Sequence, residues 1–201
     1  NIKVNIDKNN GNNHLHGGFS GFHKKVWKAK SIKRKDSLSI ILNYLSKDLE
    51  GGFPGNLETT VHYTLNNNNE LEIKYFAKTD KKTIVNFTNH SYFNLNSNLN
   101  KDIFNHKLLL KSNKYLEVSS DMIPTGKLLN IKNTKYDFSN SIIISCELDN
   151  CWVLNKDLDQ KIKLAAVLVN EETNRKIEVY TDEPGIQIYT GNNLNFKHKK
   201  N

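Results

Sequence analysis

Apolar residues along this chain occur in short runs that alternate with polar residues, and helical periodicity is almost absent. The runs are rich in Val, Ile, Tyr, Phe and Thr, which favour β-strands because their side chains pack well on a pleated surface. Two runs, 57–65 and 70–77, flank four consecutive asparagines and predict a β-hairpin. Further strands are predicted at 38–45, 83–95, 106–111, 141–145, 152–154, 161–169, 176–181 and 186–190.

Short strands at regular spacing, with turn residues between them, predict an all-β sandwich or barrel. A second tight turn is predicted at 171–174, where two glutamates precede Thr173 and Asn174. No βαβ pattern occurs, which argues against a nucleotide-binding α/β sheet. Since neither repeats nor a linker are evident, residues 1–201 are predicted to form one domain.

The predicted strand 83–95 (TIVNFTNHSYFNL) carries the strongest candidate for acid–base chemistry. Alternate side chains of a strand share a face, so His90 and Tyr92 would lie on a polar face with Asn86, Thr88 and Asn94. Val85, Phe87, Phe93 and Leu95 would form an opposite face to be buried. A histidine exchanges protons near neutral pH, although a lone histidine is more often hydrogen-bonded in a core. The polar neighbours favour a ligand site.

A second histidine, His16, is followed by two glycines, which allow a sharp turn or a close approach of the backbone to a ligand. In an extended segment His14 and His16 would share a face. A metal site formed by these two histidines with His90 or His62 is the alternative. It is disfavoured, and no metal is predicted, because no acidic or cysteine ligand lies nearby in the sequence.

Two polar residues in the C-terminal third are further candidates for binding hydroxyl groups. Gln187 follows a Pro-Gly turn in an alternating strand, on the same predicted face as Tyr189. Asp149 precedes the apolar run at 152–154, where its carboxylate is either a ligand-binding group or an ordinary loop residue. Phosphate-binding and serine- or cysteine-nucleophile motifs are absent, so covalent catalysis is poorly supported.

Composition and charge narrow the classes of partner. The net charge is +8, but the excess is mostly scattered lysine, and Arg34 and Arg175 are the only arginines, which disfavours nucleic-acid recognition. No apolar run is long enough to span a membrane. Two cysteines five residues apart form neither a disulfide framework nor a zinc motif. We therefore predict a cytoplasmic protein, and the asparagine-rich loops favour a monomer.

Taken together, the segments resemble the aldose 1-epimerase, or galactose mutarotase, family. The motifs that carry the resemblance occur in the family's order across nearly the whole chain: 13–18 (NHLHGG) with 21–22 and Trp27, 51–55 (GGFPG), 85–95 (VNFTNHSYFNL), 123–126 (IPTG) with 136–138 (YDF), and 180–192 (YTDEPGIQIYTGN). The motifs at 85–95 and 180–192 are long and specific.

The resemblance implies a large antiparallel β-sandwich with few or no helices and an open sugar-binding cleft. It implies an isomerase that interconverts the α and β anomers of a free aldohexose such as glucose or galactose, without a cofactor. By position, His90 matches the family's general acid and His16 its second histidine. Tyr92, Asp149 and Gln187 match positions that contact the sugar.

The chain also departs from the family's pattern. The family's general base is a glutamate in a Leu-Glu-Thr-Gln-like segment, which these 201 residues do not contain, and an Asn-Arg pair before the histidine-glycine loop is also missing. Where the family usually has Asp-His, Asn150 follows Asp149. We therefore expect N- and C-terminal parts of the full-length protein to be missing here. The alternatives are a non-catalytic sugar-binding relative and a hexose-6-phosphate epimerase, which would need a basic phosphate pocket.

Overall fold

A computed structural model describes residues 4–155 and 162–194 of the chain. It divides into two compact units, residues 1–89 and 90–201, which are described separately. Every strand pair within the described residues is antiparallel. The helical content of the same residues is three short 3-10 turns, Gly18–Ser20, Phe22–Lys24 and Glu50–Gly52. The prediction of an all-β antiparallel fold with few or no helices is confirmed.

The first unit contains one four-stranded sheet in the order β1-β2-β3-β4. Its strands are β1 (Lys28–Lys33), β2 (Ser37–Ser46), β3 (Leu57–Asn66) and β4 (Leu71–Thr79). The predicted hairpin around the four asparagines is the β3–β4 connection. Strand β1 was not predicted, because Ala29 and Ile32 are its only apolar residues and it gives no alternating pattern.

The second unit contains two four-stranded sheets, β11-β10-β5-β8 and β12-β9-β6-β7. The strands are β5 (Lys107–Leu110), β6 (Ser112–Val118), β7 (Pro124–Asn130), β8 (Ile142–Ile143), β9 (Asp149–Leu154), β10 (Lys163–Asn170), β11 (Arg175–Thr181) and β12 (Gly185–Tyr189). The turn predicted at 171–174 joins β10 to β11.

Side chains from both of these sheets meet in one hydrophobic core. Leu108 and Leu110 of β5 and Ala166 of β10 contribute from one sheet, and Trp152 of β9 from the other. The indole of Trp152 is fully buried, and its N–H donates to the carbonyl oxygen of Tyr136 at 3.0 Å. The second unit is therefore a β-sandwich, in which each sheet buries one face against the other.

The prediction of a strand at 83–95 was wrong for the described residues, since residues 82–95 belong to no strand. The alternating pattern is a local preference, whereas a strand also requires a neighbour to accept and donate its backbone hydrogen bonds. The predicted apolar face is only partly buried. Leu95 is 7% exposed, but Val85 is 42% and Phe93 is 53% exposed.

Hairpin β6–β7 was also missed as a pair of strands. In the turn between these two strands, the N–H of Ser119 donates to the carbonyl oxygen of Ile123 at 2.8 Å. Strand β7 is exposed along almost its whole length, so it has no buried alternating residues to identify it. The single-domain assignment of residues 1–201 stays a prediction.

Candidate active site

Strands β9 and β12 bring two of the predicted sugar-binding residues together. In their antiparallel register, Tyr189 lies opposite Asp149 and Gln187 lies opposite Cys151. These four side chains share the face of the sheet opposite Trp152 and the core. The amide of Gln187 donates to a carboxylate oxygen of Asp149 over 2.8 Å. Residues 38 positions apart in the sequence thus form one polar pair.

The end of β12 is held against the start of β9 by Thr190. Its backbone N–H donates to the carbonyl oxygen of Leu148 at 3.1 Å, and its hydroxyl accepts the N–H of Leu148 at 2.9 Å. The same hydroxyl donates to the amide oxygen of Asn192. Leu148 is fully buried, so this bracing fixes the backbone of the adjacent Asp149 relative to β12.

His90 and Tyr92 lie beside this strand pair through an aromatic contact. The rings of His90 and Tyr92 have their centroids 4.9 Å apart, and those of Tyr92 and Tyr189 are 6.1 Å apart in an edge-to-face arrangement. His90 is exposed and Tyr92 is 53% exposed. The structure therefore brings His90, Tyr92, Asp149 and Gln187 into one region, with an imidazole that solvent and a ligand can reach.

The chain directly after Tyr92 is anchored by a buried polar network. The backbone N–H of Leu95 donates to Nε2 of His106 at 2.8 Å. The side-chain amide oxygen of Asn96 accepts hydrogen bonds from the side-chain amides of Asn105 and Asn170. His106, Asn96 and Asn170 are each at most 2% exposed. Burial lowers the pKa of His106, outweighing the charges of two nearby carboxylates, so the imidazole is neutral and accepts this bond.

Asn94 also takes part in that anchor. Its amide donates to the carbonyl oxygen of Lys101 at 2.8 Å, and its amide oxygen accepts the N–H of Asn96 at 3.0 Å. The predicted polar face from Asn86 to Asn94 therefore does not act as a unit. Within it, the structure places His90 and Tyr92 beside the strands that carry Asp149 and Gln187.

His16 lies in the first unit, in the turn before the 3-10 segment Gly18–Ser20. Its φ of 52° is left-handed, so the chain is not extended there, and the condition under which His14 and His16 would share a face is not met. His16 is exposed, whereas Nδ1 of the partly buried His14 donates to the carbonyl oxygen of Asp7 at 2.9 Å. The sharp turn expected from the two glycines is present, with φ values of 85° at Gly17 and 76° at Gly18.

The chemistry available in the second unit is proton exchange and hydrogen bonding. One N–H of the Gln187 side-chain amide donates to Asp149. The amide also has a second N–H and a carbonyl oxygen, so Gln187 and Asp149 together can offer a hydrogen-bond donor and acceptors to the hydroxyl groups of a ligand. Burial raises the pKa of the Cys151 thiol, which keeps it protonated and a poor nucleophile at neutral pH. Within residues 4–155 and 162–194, no group of three or more His, Cys, Asp and Glu side chains is placed to hold a metal ion.

Tyr189 is the residue of this region that sequence reasoning did not identify as a candidate. Its signal was present, since it lies two residues after Gln187 on the same strand face. Its contact with Tyr92 could not be foreseen, because that contact joins segments almost a hundred residues apart.

Comparisons with known proteins agree with the fold and with the motifs. The family model described as aldose 1-epimerase matches residues 1–201. The aldose 1-epimerase of Escherichia coli is 36% identical over 203 residues, covering 95% of this chain and 57% of that protein. The galactose mutarotase of Bos taurus is 35% identical over 192 residues, covering 92% and 55% respectively.

Solved structures give the same picture. An aldose epimerase homologue from C. elegans superposes with a TM-score of 0.86 at 25% identity, covering 96% of this chain and 60% of that one. A galactose 1-epimerase from Lactobacillus acidophilus has a TM-score of 0.72 at 28% identity, covering 83% and 51%. The chain thus spans between half and three fifths of the length of these relatives. From its sequence and from its fold, this chain belongs to the aldose 1-epimerase family.

Proposed function

We propose that the protein is an aldose 1-epimerase, an isomerase that interconverts the α and β anomers of a free aldohexose such as glucose or galactose. The observation that carries the proposal is the cluster in the second unit. There, an exposed imidazole at position 90 adjoins Tyr92, which contacts the strand that holds Gln187 against Asp149. Family membership supports the same reaction.

The proposed reaction needs only proton transfers. His90 gives a proton to the ring oxygen while a base removes the proton of the anomeric hydroxyl, and the bond between the ring oxygen and the anomeric carbon breaks. The open aldehyde rotates about the adjacent carbon–carbon bond, and the ring then closes on either face as the proton transfers are reversed. A well-placed acid or base contributes a factor of about 10²–10⁴ to such a reaction.

The remaining predicted residues bind and orient the sugar in this proposal. Asp149 and Gln187 hydrogen-bond its hydroxyls, Tyr92 contacts the ring beside His90, and His16 polarises the ring oxygen as the second histidine. The general base is a glutamate that the family pattern places outside residues 1–201. No cofactor takes part.

We further propose a cytoplasmic monomer whose partner is the sugar, with no nucleic acid and no membrane involved. Both cysteines, Cys146 and Cys151, are free thiols, which suits a reducing compartment. No helix in the described ranges combines the length and the apolar character of a membrane span.

Polarimetry tests the proposal directly. The optical rotation of freshly dissolved α-galactose and α-glucose is followed with and without the whole protein, including whatever sequence flanks residues 1–201 in the gene product. We expect the wild type to accelerate the approach to the equilibrium rotation. His90→Asn should lower kcat by a factor of about 10²–10⁴, the usual contribution of a general acid.

The matched control is His62→Asn, because His62 lies on a strand of the first unit, on the sheet face that also carries Lys74. This variant should keep wild-type activity. Sugar binding without acceleration by the wild type would overturn the enzyme proposal and favour a sugar-binding protein. Activity confined to 6-phosphorylated hexoses would show a phosphohexose epimerase instead.

A further inference from the structure

We propose that Tyr189 is a positioning residue for His90 and that it acts through Tyr92. This inference rests on the proposed function, because it assigns a role in placing the acid of that reaction. It concerns a residue that the family pattern of site residues does not include. In this proposal, strand β12 sets the positions of both the Gln187 amide, which binds a sugar hydroxyl, and the His90 imidazole.

The segment that carries His90 needs side-chain contacts to fix it. Residues 82–95 belong to no strand among the described residues, so no regular ladder of backbone hydrogen bonds sets the height or the tilt of the imidazole. The buried network at Leu95 and Asn96 anchors the segment five residues after His90. Closer to His90, the Tyr92 ring lies in contact with the imidazole on one side and with Tyr189 on the other.

Tyr189 is well suited to hold Tyr92, because it is itself held at both ends. Its backbone lies in β12, directly opposite Asp149 in β9. Its hydroxyl oxygen accepts the backbone N–H of Asn193 at 2.8 Å, which closes the turn after the strand around the phenol. The interplanar angle between the Tyr92 and Tyr189 rings is 63°, within the edge-to-face geometry that aromatic pairs prefer.

The consequence concerns alignment between the acid and the bound sugar. Gln187 and Tyr189 are two residues apart on one face of β12, so the amide and the phenol move together. If Gln187 holds a hydroxyl of the sugar and Tyr189 holds Tyr92 beside His90, the strand fixes the distance from the imidazole to the ring oxygen. An error of about 1 Å in such an alignment costs as much as 10²-fold in rate.

The test compares two substitutions at this position in the whole protein. Tyr189→Leu removes the ring, and we expect a loss of about 10-fold in kcat with KM within about threefold of wild type, because alignment and not binding is damaged. Tyr189→Phe keeps the ring contact with Tyr92 but loses the hydroxyl that accepts the Asn193 N–H, so its kcat should lie between those of Tyr189→Leu and the wild type. Tyr180→Leu, at an exposed tyrosine of β11 whose hydroxyl bonds Glu178, is the matched control and should be neutral.

A second comparison separates positioning from a merely structural role. In the background of His90→Asn, Tyr189→Leu should cause no further loss of kcat, because the group that it positions is gone. A full additional 10-fold loss there, or an unchanged kcat for Tyr189→Leu in an active wild type, would overturn the proposal while leaving the epimerase assignment intact.

A spectroscopic readout keeps the inference independent of turnover. The imidazole proton resonances of His90 should shift in Tyr189→Leu and stay in place in Tyr180→Leu, since the neighbouring Tyr92 ring moves only in the former. If the wild type shows no epimerase activity, the proposed function fails. The spectrum then tests by itself whether Tyr189 influences the surroundings of His90 through Tyr92. Unshifted His90 resonances in Tyr189→Leu would then refute the positioning role.

Discussion

At the scale of single residues, His106 shows how one buried imidazole fixes the segment that carries the proposed acid. Its Nδ1 donates to the amide oxygen of Asn105 at 2.8 Å, and its Nε2 accepts the backbone N–H of Leu95 at 2.8 Å. Only the neutral imidazole offers one donor and one acceptor, and a second proton would remove the acceptor. Protonation of His106 is therefore coupled to the loss of the Leu95 anchor.

This coupling predicts a pH dependence of stability. Burial lowers the pKa of His106 from its usual value near 6.5, so below about that pH the unfolded chain binds a proton that the folded chain does not. The free energy of unfolding should be fully retained above pH 6.5 and should decrease as the pH falls toward the lowered pKa. Urea titrations of the wild type between pH 8 and pH 5 measure this.

The variant His106→Leu should flatten that pH dependence while lowering stability at pH 8. Leaving the buried Leu95 N–H without its acceptor costs about 1–3 kcal/mol. Equal slopes in the wild type and in His106→Leu would assign the pH dependence to other groups.

A glycine two residues after His16 allows a second test on the residue scale. Gly18 is buried with φ of 76°, and a Cβ there would lie 2.6 Å from a carboxylate oxygen of Asp7 and 2.9 Å from the His14 ring. Gly18→Ala should therefore destabilise the loop by more than the roughly 1–2 kcal/mol of a left-handed alanine. Gly11 has a φ of 58°, but a Cβ added there would meet no other atom within 4 Å. Gly11→Ala should therefore lose only the free energy that a left-handed backbone conformation costs an alanine.

Thermal unfolding of the two glycine variants, measured side by side, provides the comparison. A lower Tm for Gly18→Ala than for Gly11→Ala is the expected order. The reverse order would mean that the loop adjusts to the added carbon and that the close approach to Asp7 is not a structural requirement.

At the scale of elements, the β3–β4 hairpin shows side chains acting as turn residues. The amide oxygen of Asn66 accepts the backbone N–H groups of Asn68 and Glu70 at 2.9 and 3.1 Å. Its amide nitrogen donates to the Glu70 carboxylate at 2.6 Å, and Asn69 takes the left-handed conformation with φ of 61°. Asparagine suits both tasks, because its short side chain forms hydrogen bonds with nearby backbone groups and because the residue tolerates a positive φ.

Asn66→Ala should therefore weaken this hairpin. Two backbone N–H groups lose a protein acceptor but remain exposed to water, so we expect a cost of about 1 kcal/mol in the free energy of unfolding. Asn68→Ala is the control, because Asn68 takes part in this turn through its backbone N–H, which alanine retains. Chemical denaturation of the two variants should show a loss for the first only.

The segment 82–95 illustrates the opposite case at the same scale. Its alternation of apolar and polar residues matches the prediction for a strand, yet none of the described strands pairs with it. Its side chains are held instead by particular contacts, such as the stacked rings of Phe87 and Tyr75 in the first unit. Local pattern determines which residues tend to be extended, whereas pairing depends on the rest of the fold.

At the scale of the whole molecule, the sheet of the first unit has one strongly apolar face. Leu38, Leu65 and Leu71 lie opposite one another on three neighbouring strands, and they are 52%, 56% and 58% exposed. Ile40, Tyr63 and Ile73 form the adjacent row. A contiguous exposed row of this kind favours non-specific association, unlike single apolar residues on a surface.

We therefore expect the 201-residue chain, expressed alone, to bind a hydrophobic dye and to aggregate at high concentration. Leu65→Lys should reduce both effects, because it interrupts the apolar row. Leu45→Lys is the matched control, since Leu45 is 49% exposed but lies on the opposite face of β2. Dye fluorescence and light scattering measure the difference, and equal effects of the two substitutions would contradict the role of the row.

The amino-acid sequence by itself determined the all-β class, the two hairpin turns and which residues are site candidates, but not every strand, since β1, β6 and β7 were missed and 83–95 is not a strand. These features depend on residue types a few positions apart, as in the alternation of Ile186, Gln187, Ile188 and Tyr189 and in the four asparagines of the β3–β4 turn. The motif around His90 and the one around Gln187 were also specific enough to indicate the family from sequence, and the family model confirms it.

The tertiary structure alone decided which of these residues meet. The hydrogen bond between Gln187 and Asp149, and the ring contact between Tyr92 and Tyr189, join segments that are far apart in the sequence. It also decided that the His90 segment is held by a buried imidazole and by aromatic contacts and not by a strand ladder. The physical reason is that local preferences act between sequence neighbours, whereas register and burial are set by the simultaneous packing of distant segments.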